Sequence, residues 1–141
     1  MLEETFNEVY SKFKLHFYQV VFEGDQSGKS TLTTVEAFCM ETIHALGKPT
    51  VNEFASLLHI SPQNAAYKVN NLVKKGYLVR AQSKEDKREF YLEVTRKYLD
   101  YCHRNYQYVK EVTNRVKTRF QGEDLEQVEH VLKVLSEELG I

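Results

Sequence analysis

The chain has 141 residues, 42% hydrophobic and 28% charged, with a formal net charge of −1, the composition of a globular domain with a core of its own. No apolar run approaches the ~20 residues of a membrane helix, and the acidic start Met1-Leu2-Glu3-Glu4 lacks the basic head and apolar stretch of a secretory leader, so a cytoplasmic protein with no membrane partner is expected. The two cysteines, Cys39 and Cys102, are far apart and form no CxxC pair, which argues against both a disulfide framework and a zinc knot.

In chain order, Leu2, Phe6, Val9, Phe13, Phe17 and Val20 step by four, three, four, four and three, predicting a helix over about 2–22 with a broad aromatic stripe. Residues 24–30, rich in Gly, Ser and Asp, read as a loop. Thr33-x-x-Glu36 is a capping box that opens a second helix, with Val35, Phe38, Ile43 and Leu46 facing inward and Gly47 as its stop. Thr50-x-x-Glu53 is a second box, opening a helix whose buried stripe is Val51, Phe54, Leu57 and Leu58. After the short turn His59-Ile60, Ser61 fits an N-cap and Pro62 the first helical position. This fourth helix runs to about Lys75, with Ala65, Val69, Leu72 and Val73 inside and Gly76 as its stop.

The period then changes. Tyr77 to Ala81 and Glu89 to Val94 read as the two strands of a hairpin with a charged turn between them. Helix resumes at Thr95, where Leu99, Cys102, Tyr106, Val109, Thr113, Val116 and Phe120 alternate steps of three and four, as in a coiled-coil seam. Gly122 breaks it, and Leu125, Val128, Leu132, Leu135 and Leu139 mark a last amphipathic helix. The expected fold is mainly α with a small β-hairpin wing: a winged helix-turn-helix over 32–94, inside a single domain 1–141 whose segments 1–31 and 95–141 serve dimerisation.

Positive charge is concentrated in one place. Residues 1–60 hold 4 basic against 8 acidic residues, 61–90 hold 7 against 3, and 91–141 hold 8 against 9. Alone, such a cluster reads as a solvated surface; directly after a helix-turn-helix it reads as a nucleic-acid footprint. On the fourth helix Gln63, Asn64, Tyr67, Lys68 and Asn71 project away from the apolar stripe. Gln and Asn each donate and accept, which suits paired bonds to adenine, while Tyr67 and Lys68 can reach phosphates. Thr50 and Ser61, at the starts of the two helices, are counted with them as candidate DNA contacts. In the hairpin tip Lys84, Lys87 and Arg88 suit the backbone or the minor groove. Asp86 would repel phosphate, and its expected task is to hold Arg88 through a charge-assisted hydrogen bond.

The run Ile60-Ser61-Pro62, then Leu72-Val73-Lys74-Lys75-Gly76-Tyr77-Leu78-Val79-Arg80, then Asp86-Lys87-Arg88 and Val94-Thr95 resembles the MarR (multiple antibiotic resistance regulator) family. The resemblance rests on the Leu-x-x-x-Gly-x-x-x-Arg run after the recognition helix and on the Asp-x-Arg wing. It implies a homodimer with interlocked N- and C-terminal helices that represses or activates genes in response to small molecules. It also implies helix 61–75 in the major groove and Arg88, oriented by Asp86, in the minor groove. Two departures stand out: Val94-Thr95 replaces the family's Leu-Thr, and Lys97-Tyr98-Leu99 stands where the family carries a Gly. By the same resemblance Phe13, Phe17, Tyr98 and Tyr101 are candidates to line a pocket for a small-molecule effector; as a plain aromatic stripe they read as core.

Apart from any resemblance, the aromatic stripe of 2–22 and the seam of 99–120 offer more apolar surface than a three-helix core can absorb, which points to a second subunit. Twofold symmetry then implies a pseudo-palindromic operator on double-stranded DNA. Other readings fare worse. The run Gly24-Asp25-Gln26-Ser27-Gly28-Lys29-Ser30-Thr31 resembles a phosphate-binding loop, but its glycines are one residue too close and a helical segment, not a strand, precedes it. Of His16, His44, His59, His103 and His130, no two form a His-x-x-x-His pair, and the adjacent Cys102 and His103 point to different faces. No metal, cofactor or enzymatic activity is expected. The competing class is a winged-helix module that binds an acidic protein in place of DNA.

Overall fold

The computed structural model describes residues 1–27 and 32–141. Its elements are α1 (Leu2–Ser27), α2 (Thr34–Leu46), α3 (Val51–Leu58), α4 (Pro62–Lys74), β1 (Leu78–Gln82), β2 (Phe90–Val94), α5 (Arg96–Arg119) and α6 (Glu123–Glu138). The chain divides into two compact units, Met1–His103 and Arg104–Ile141. The mainly helical architecture with one two-stranded hairpin is the one expected.

Helix boundaries follow the local chemistry. At the start of α2, Thr33 Oγ1 accepts from the Glu36 N–H and the Glu36 carboxylate accepts from the Thr33 N–H, both at 3.2 Å. Thr50 Oγ1 accepts from the Glu53 N–H at 3.1 Å and so caps α3. Ser61 Oγ accepts from the Asn64 N–H at 3.1 Å, with Pro62 opening α4. Each cap satisfies an amide that the helix itself leaves without a partner.

The turn between α3 and α4 is a Schellman motif. His59 takes the left-handed conformation, φ 53° and ψ 41°. Its N–H donates to the Ser56 carbonyl at 3.3 Å, and the Ile60 N–H donates to the Ala55 carbonyl at 3.1 Å. The end of α4 repeats the device with Gly76, φ 84°: Gly76 donates to Val73 and Tyr77 to Leu72, each at 3.0 Å.

β1 and β2 pair antiparallel from Leu78↔Val94 to Gln82↔Phe90, within a residue of the expected strands. Pro49-Thr50 adds a short third edge: Thr50 bridges Tyr91, and the Leu92 N–H donates to the Pro49 carbonyl at 2.7 Å. The start of α3 is thereby fixed to the wing.

The core of the first unit is built from Met40 and Ile43 of α2, Phe54 and Ala55 of α3, Ala65, Val69 and Leu72 of α4, Tyr77, Leu78 and Leu92 of the hairpin, and Tyr98 of α5. At ~1.5–3 kcal/mol for each fully buried large apolar side chain, this cluster dominates the stability of the unit. Three expectations need correction. The loop expected from residue 24 does not begin there, because α1 continues to Ser27; a Gly inside a helix costs only about 1 kcal/mol, and burial of Val20 and Val21 one turn earlier offsets it. Residues 28–31, and with them most of the phosphate-loop-like run, lie outside the described residues. On α2, Val35 and Phe38 are exposed, and the inner face is carried by Ala37, Cys39, Met40 and Ile43; Phe38 turns toward α1, its ring 5.9 Å from that of Phe17. On α3, Phe54 and Ala55 fill the core while Leu57 and Leu58, in the final turn of an eight-residue helix, stay partly in solvent.

Candidate nucleic-acid interface

Burial of Ala65, Val69 and Leu72 determines which side of α4 faces out. Gln63, Asn64 and Tyr67 are exposed, Tyr67 by 67%, and they lie in the first two turns of the helix. Lys68 and Asn71 are half-buried. Ser61 is exposed and Thr50 half-buried, each with its hydroxyl already accepting a cap bond. These two position the helices that carry the other candidates.

The wing tip is braced by its own polar groups. Ser83, buried at 4% exposure, accepts at Oγ from the Glu85 and Asp86 N–H groups at 3.2 and 3.3 Å. Its N–H donates to the Glu89 carbonyl at 2.9 Å, and the Gln82 amide donates to the Lys87 carbonyl at 2.8 Å. Inside this turn Arg88 donates to Asp86 three times: from the backbone N–H at 3.0 Å, from Nε to Oδ1 at 3.1 Å and from Nη2 to Oδ2 at 3.2 Å. The charge-assisted hydrogen bond expected between them is formed, and it is bidentate. These bonds from Arg88, side chain first, hold the Asp86 carboxyl below its usual range. The Arg88 side chain remains 90% exposed, so its guanidinium is oriented without being covered. Lys84 and Lys87 are exposed beside it.

Two contributors were not legible in the sequence. Arg80 of β1 donates to the Asn70 side-chain oxygen, tying the wing strand to the recognition helix; the Leu72-x-x-x-Gly76-x-x-x-Arg80 spacing was its only signal. Ser83 looks in sequence like any turn serine, yet it organises the tip.

The candidate effector residues divide between α1 and α5. Phe13 is exposed, and Phe17 packs on Phe38. Tyr98 is fully buried in the core, with its ring 5.6 Å from His44 and 5.8 Å from Tyr101. Burial pushes the Tyr98 hydroxyl far up and that of Tyr101 up to about 12. Tyr98 thus serves as core, and the apolar cavity between α1 and α2, about 220 Å³, is lined by Tyr18, Val21, Phe22, Thr34 and Phe38. Burial also raises both Cys39 and Cys102, the behaviour of packed thiols. Among the described residues no three His, Cys, Asp or Glu side chains gather around a metal-sized site, and no helix is long and apolar enough to cross a membrane.

A helix-turn-helix whose second helix offers amides and a tyrosine, followed by a hairpin with a braced arginine at its tip, defines a winged helix-turn-helix. Residues 32–90 match the model of the MarR family, which bears out the resemblance carried by Ile60 to Arg88. The fold extends over the whole chain. It is similar to a MepR mutant from a multidrug-resistant S. aureus clinical isolate at 16% identity, covering 99% of this chain and 97% of that one with a TM-score of 0.71. It is similar to the S. aureus MepR–DNA complex at 16% identity, covering 97% and 98% with a TM-score of 0.55. The adhesin competence repressor AdcR from Streptococcus pyogenes is 23% identical, covering 100% and 99% with a TM-score of 0.53. No curated protein matches the sequence significantly.

Proposed function

We propose that this protein is a sequence-specific, duplex-DNA-binding transcriptional regulator that acts as a homodimer, a repressor released by a small-molecule effector, and has no catalytic activity. The observation that carries the reading is the Arg88–Asp86 pair: an exposed guanidinium held in a fixed direction by two side-chain bonds on a hairpin tied to a helix with exposed Gln63, Asn64 and Tyr67. The similar fold of MepR, seen in complex with DNA, supports the same reading. In this reading α4 enters the major groove with Gln63 and Asn64 at base edges, while Tyr67, Lys68 and Asn71 flank them, Lys68 at a phosphate. Arg88 enters the minor groove, and Lys84 and Lys87 lie along phosphates.

A second subunit is supported by apolar faces left bare within each unit. In the first, Phe6 and Val9 of α1 are exposed. In the second, Tyr106 and Val109 of α5, Phe120 just after it, Val131 and Leu132 of α6, and Leu139 at its C-cap are exposed. An open apolar groove of about 490 Å³ lies along Phe120, Val128, Val131 and Leu132.

The test is a mobility shift with mixed-sequence duplex, wild type against Arg88→Ala, across a salt series. The wild type should bind at low salt and weaken steeply as salt rises, and Arg88→Ala should bind more weakly with an unchanged melting temperature. Equal affinity of the two proteins would remove the wing from the interface. Absence of binding by folded wild type at low salt would refute the reading.

A further inference from the structure

The recognition helix is held at its carbonyl end by Thr95 and by Lys97 at the start of α5. Lys97, in the first turn of α5, spans the three residues that close α4. Its ammonium donates to the Lys75 carbonyl at 2.7 Å. Its stem passes Gly76, where a Cβ would lie 3.7 Å from Lys97 Cδ. The same ammonium sits 4.5 Å from the centre of the Tyr77 ring. Two bonds from Thr95 close the other side: its hydroxyl donates to the Gly76 carbonyl at 2.6 Å, and its N–H donates to the Tyr77 carbonyl at 3.0 Å. From the opposite direction, the Lys75 ammonium donates to the Glu36 carboxylate of α2 at 2.8 Å. A helix C-terminus carries partial negative charge on its free carbonyls, so a cation there is favoured.

We propose that Lys97 is a positioning residue for DNA recognition: it sets the axis of α4 relative to the first turn of α5, and so the placement of Gln63 and Asn64. The proposal rests on the DNA-binding reading above. The argument is one of leverage. α4 has 13 residues, about 20 Å at 1.5 Å per residue, and its base-reading residues are at the end away from the clasp. A tilt of roughly 5° about the clasp moves that end by about 2 Å, enough to break hydrogen bonds that need 2.7–3.2 Å. Phosphate contacts made by long flexible side chains tolerate such a shift. Loss of the clasp should therefore cost specific binding while sparing nonspecific binding, a split that general destabilisation does not produce.

The experiment compares wild type, Lys97→Met and Lys97→Arg. Met keeps the stem and removes the donor and the charge; Arg retains both. Binding is measured to a duplex recovered from a random pool by the wild type and to a scrambled duplex of equal length and composition. Amide hydrogen exchange of α4 and of residues 75–77 is followed in the DNA-free protein. Lys97→Met should lose roughly three- to tenfold in affinity for the selected duplex, with scrambled binding and its salt slope unchanged. Exchange should quicken at residues 74–77 and stay unchanged in α2 and α3, and Lys97→Arg should restore both readouts. Equal loss on both duplexes, or unchanged affinity for the selected duplex with or without faster exchange, would overturn the positioning role. Wild type that binds no duplex would overturn the functional reading and this role with it, whereas wild type that binds beside an equally competent Lys97→Met overturns this proposal alone.

Discussion

Between Leu32 and Tyr98 apolar side chains close on one another within the chain, and Phe54, Met40, Ile43 and Leu72 are completely buried. From Arg104 onward, among the described residues, not one is buried, although the periodicity there is just as regular. Leu132 and Leu139 are 59% and 63% exposed, and α6 has no buried residue at all. Both regions obey the same helical pattern, yet only one satisfies it alone. The contrast shows that an amphipathic stripe says a face must be covered without saying by what. In the first unit the cover is intramolecular; for the second, a copy of the same chain is the cover we propose.

That contrast can be broken, beginning with the largest expected effect. Phe54→Ala should cost about 3–5 kcal/mol of unfolding free energy in a urea titration, since Phe54 is fully enclosed by the core; a loss below 1 kcal/mol would mean the core is not closed there. Leu132→Lys should leave the helical content intact and weaken self-association by about a hundredfold or more, because an unpaired ammonium would be buried in the dimer contact. Sedimentation at several concentrations reads it, and an unaltered dimer would remove α6 from the interface. Asn64→Ala should relax base preference by about 1–3 kcal/mol at one position of each half-site; the same loss on every duplex would reassign Asn64 to the backbone. Ser61→Ala, which deletes the cap of α4, should cost about 1 kcal/mol of stability, visible as a lower melting temperature.

The smallest effect is a pH dependence. Burial pushes the Glu36 carboxyl up, but hydrogen bonds from Lys75 and Thr33 outweigh it and hold the group below its ordinary value of 4.5. A carboxyl depressed on folding contributes stability that is complete above its unfolded pKa and is lost as pH falls through the folded one. The melting temperature should therefore drop on acidification below about pH 5, with a shallower slope in Glu36→Gln. An identical slope in both proteins would show that Glu36 does not supply the acid sensitivity.

Much of this architecture was legible because helix ends are written in short-range chemistry. Thr33 with Glu36, Thr50, Ser61-Pro62, Gly76 and Gly122 each mark a boundary through bonds to residues a few positions away. The Asp86–Arg88 bond is equally local, two residues apart, and could be read for that reason. What failed was the choice among apolar neighbours. Val35, Phe38, Leu57 and Leu58 have the hydrophobicity of core residues, but small Ala37, Cys39 and Ala55 occupy the inner positions, and spacing alone does not rank large against small. The left-handed turn was hidden because His59, not Gly, adopts it. Long-range contacts left little mark: Lys97 on Lys75 and Lys75 on Glu36 join residues 22 and 39 positions apart without a signal, and Arg80 on Asn70, 10 apart, was hinted at only by the spacing from Leu72 to Arg80. Tyr98, which reads as core from its stripe alone, is completely buried.

The central claim is that the polar face of α4 and the wing tip engage one duplex together, twice over through a dimer. Selecting bound sequences from a random duplex pool at moderate salt tests it most directly. The account predicts a mirrored motif whose half-sites lie about 10 bp apart, centre to centre. Recovery of no enriched sequence by folded, effector-free protein would contradict it.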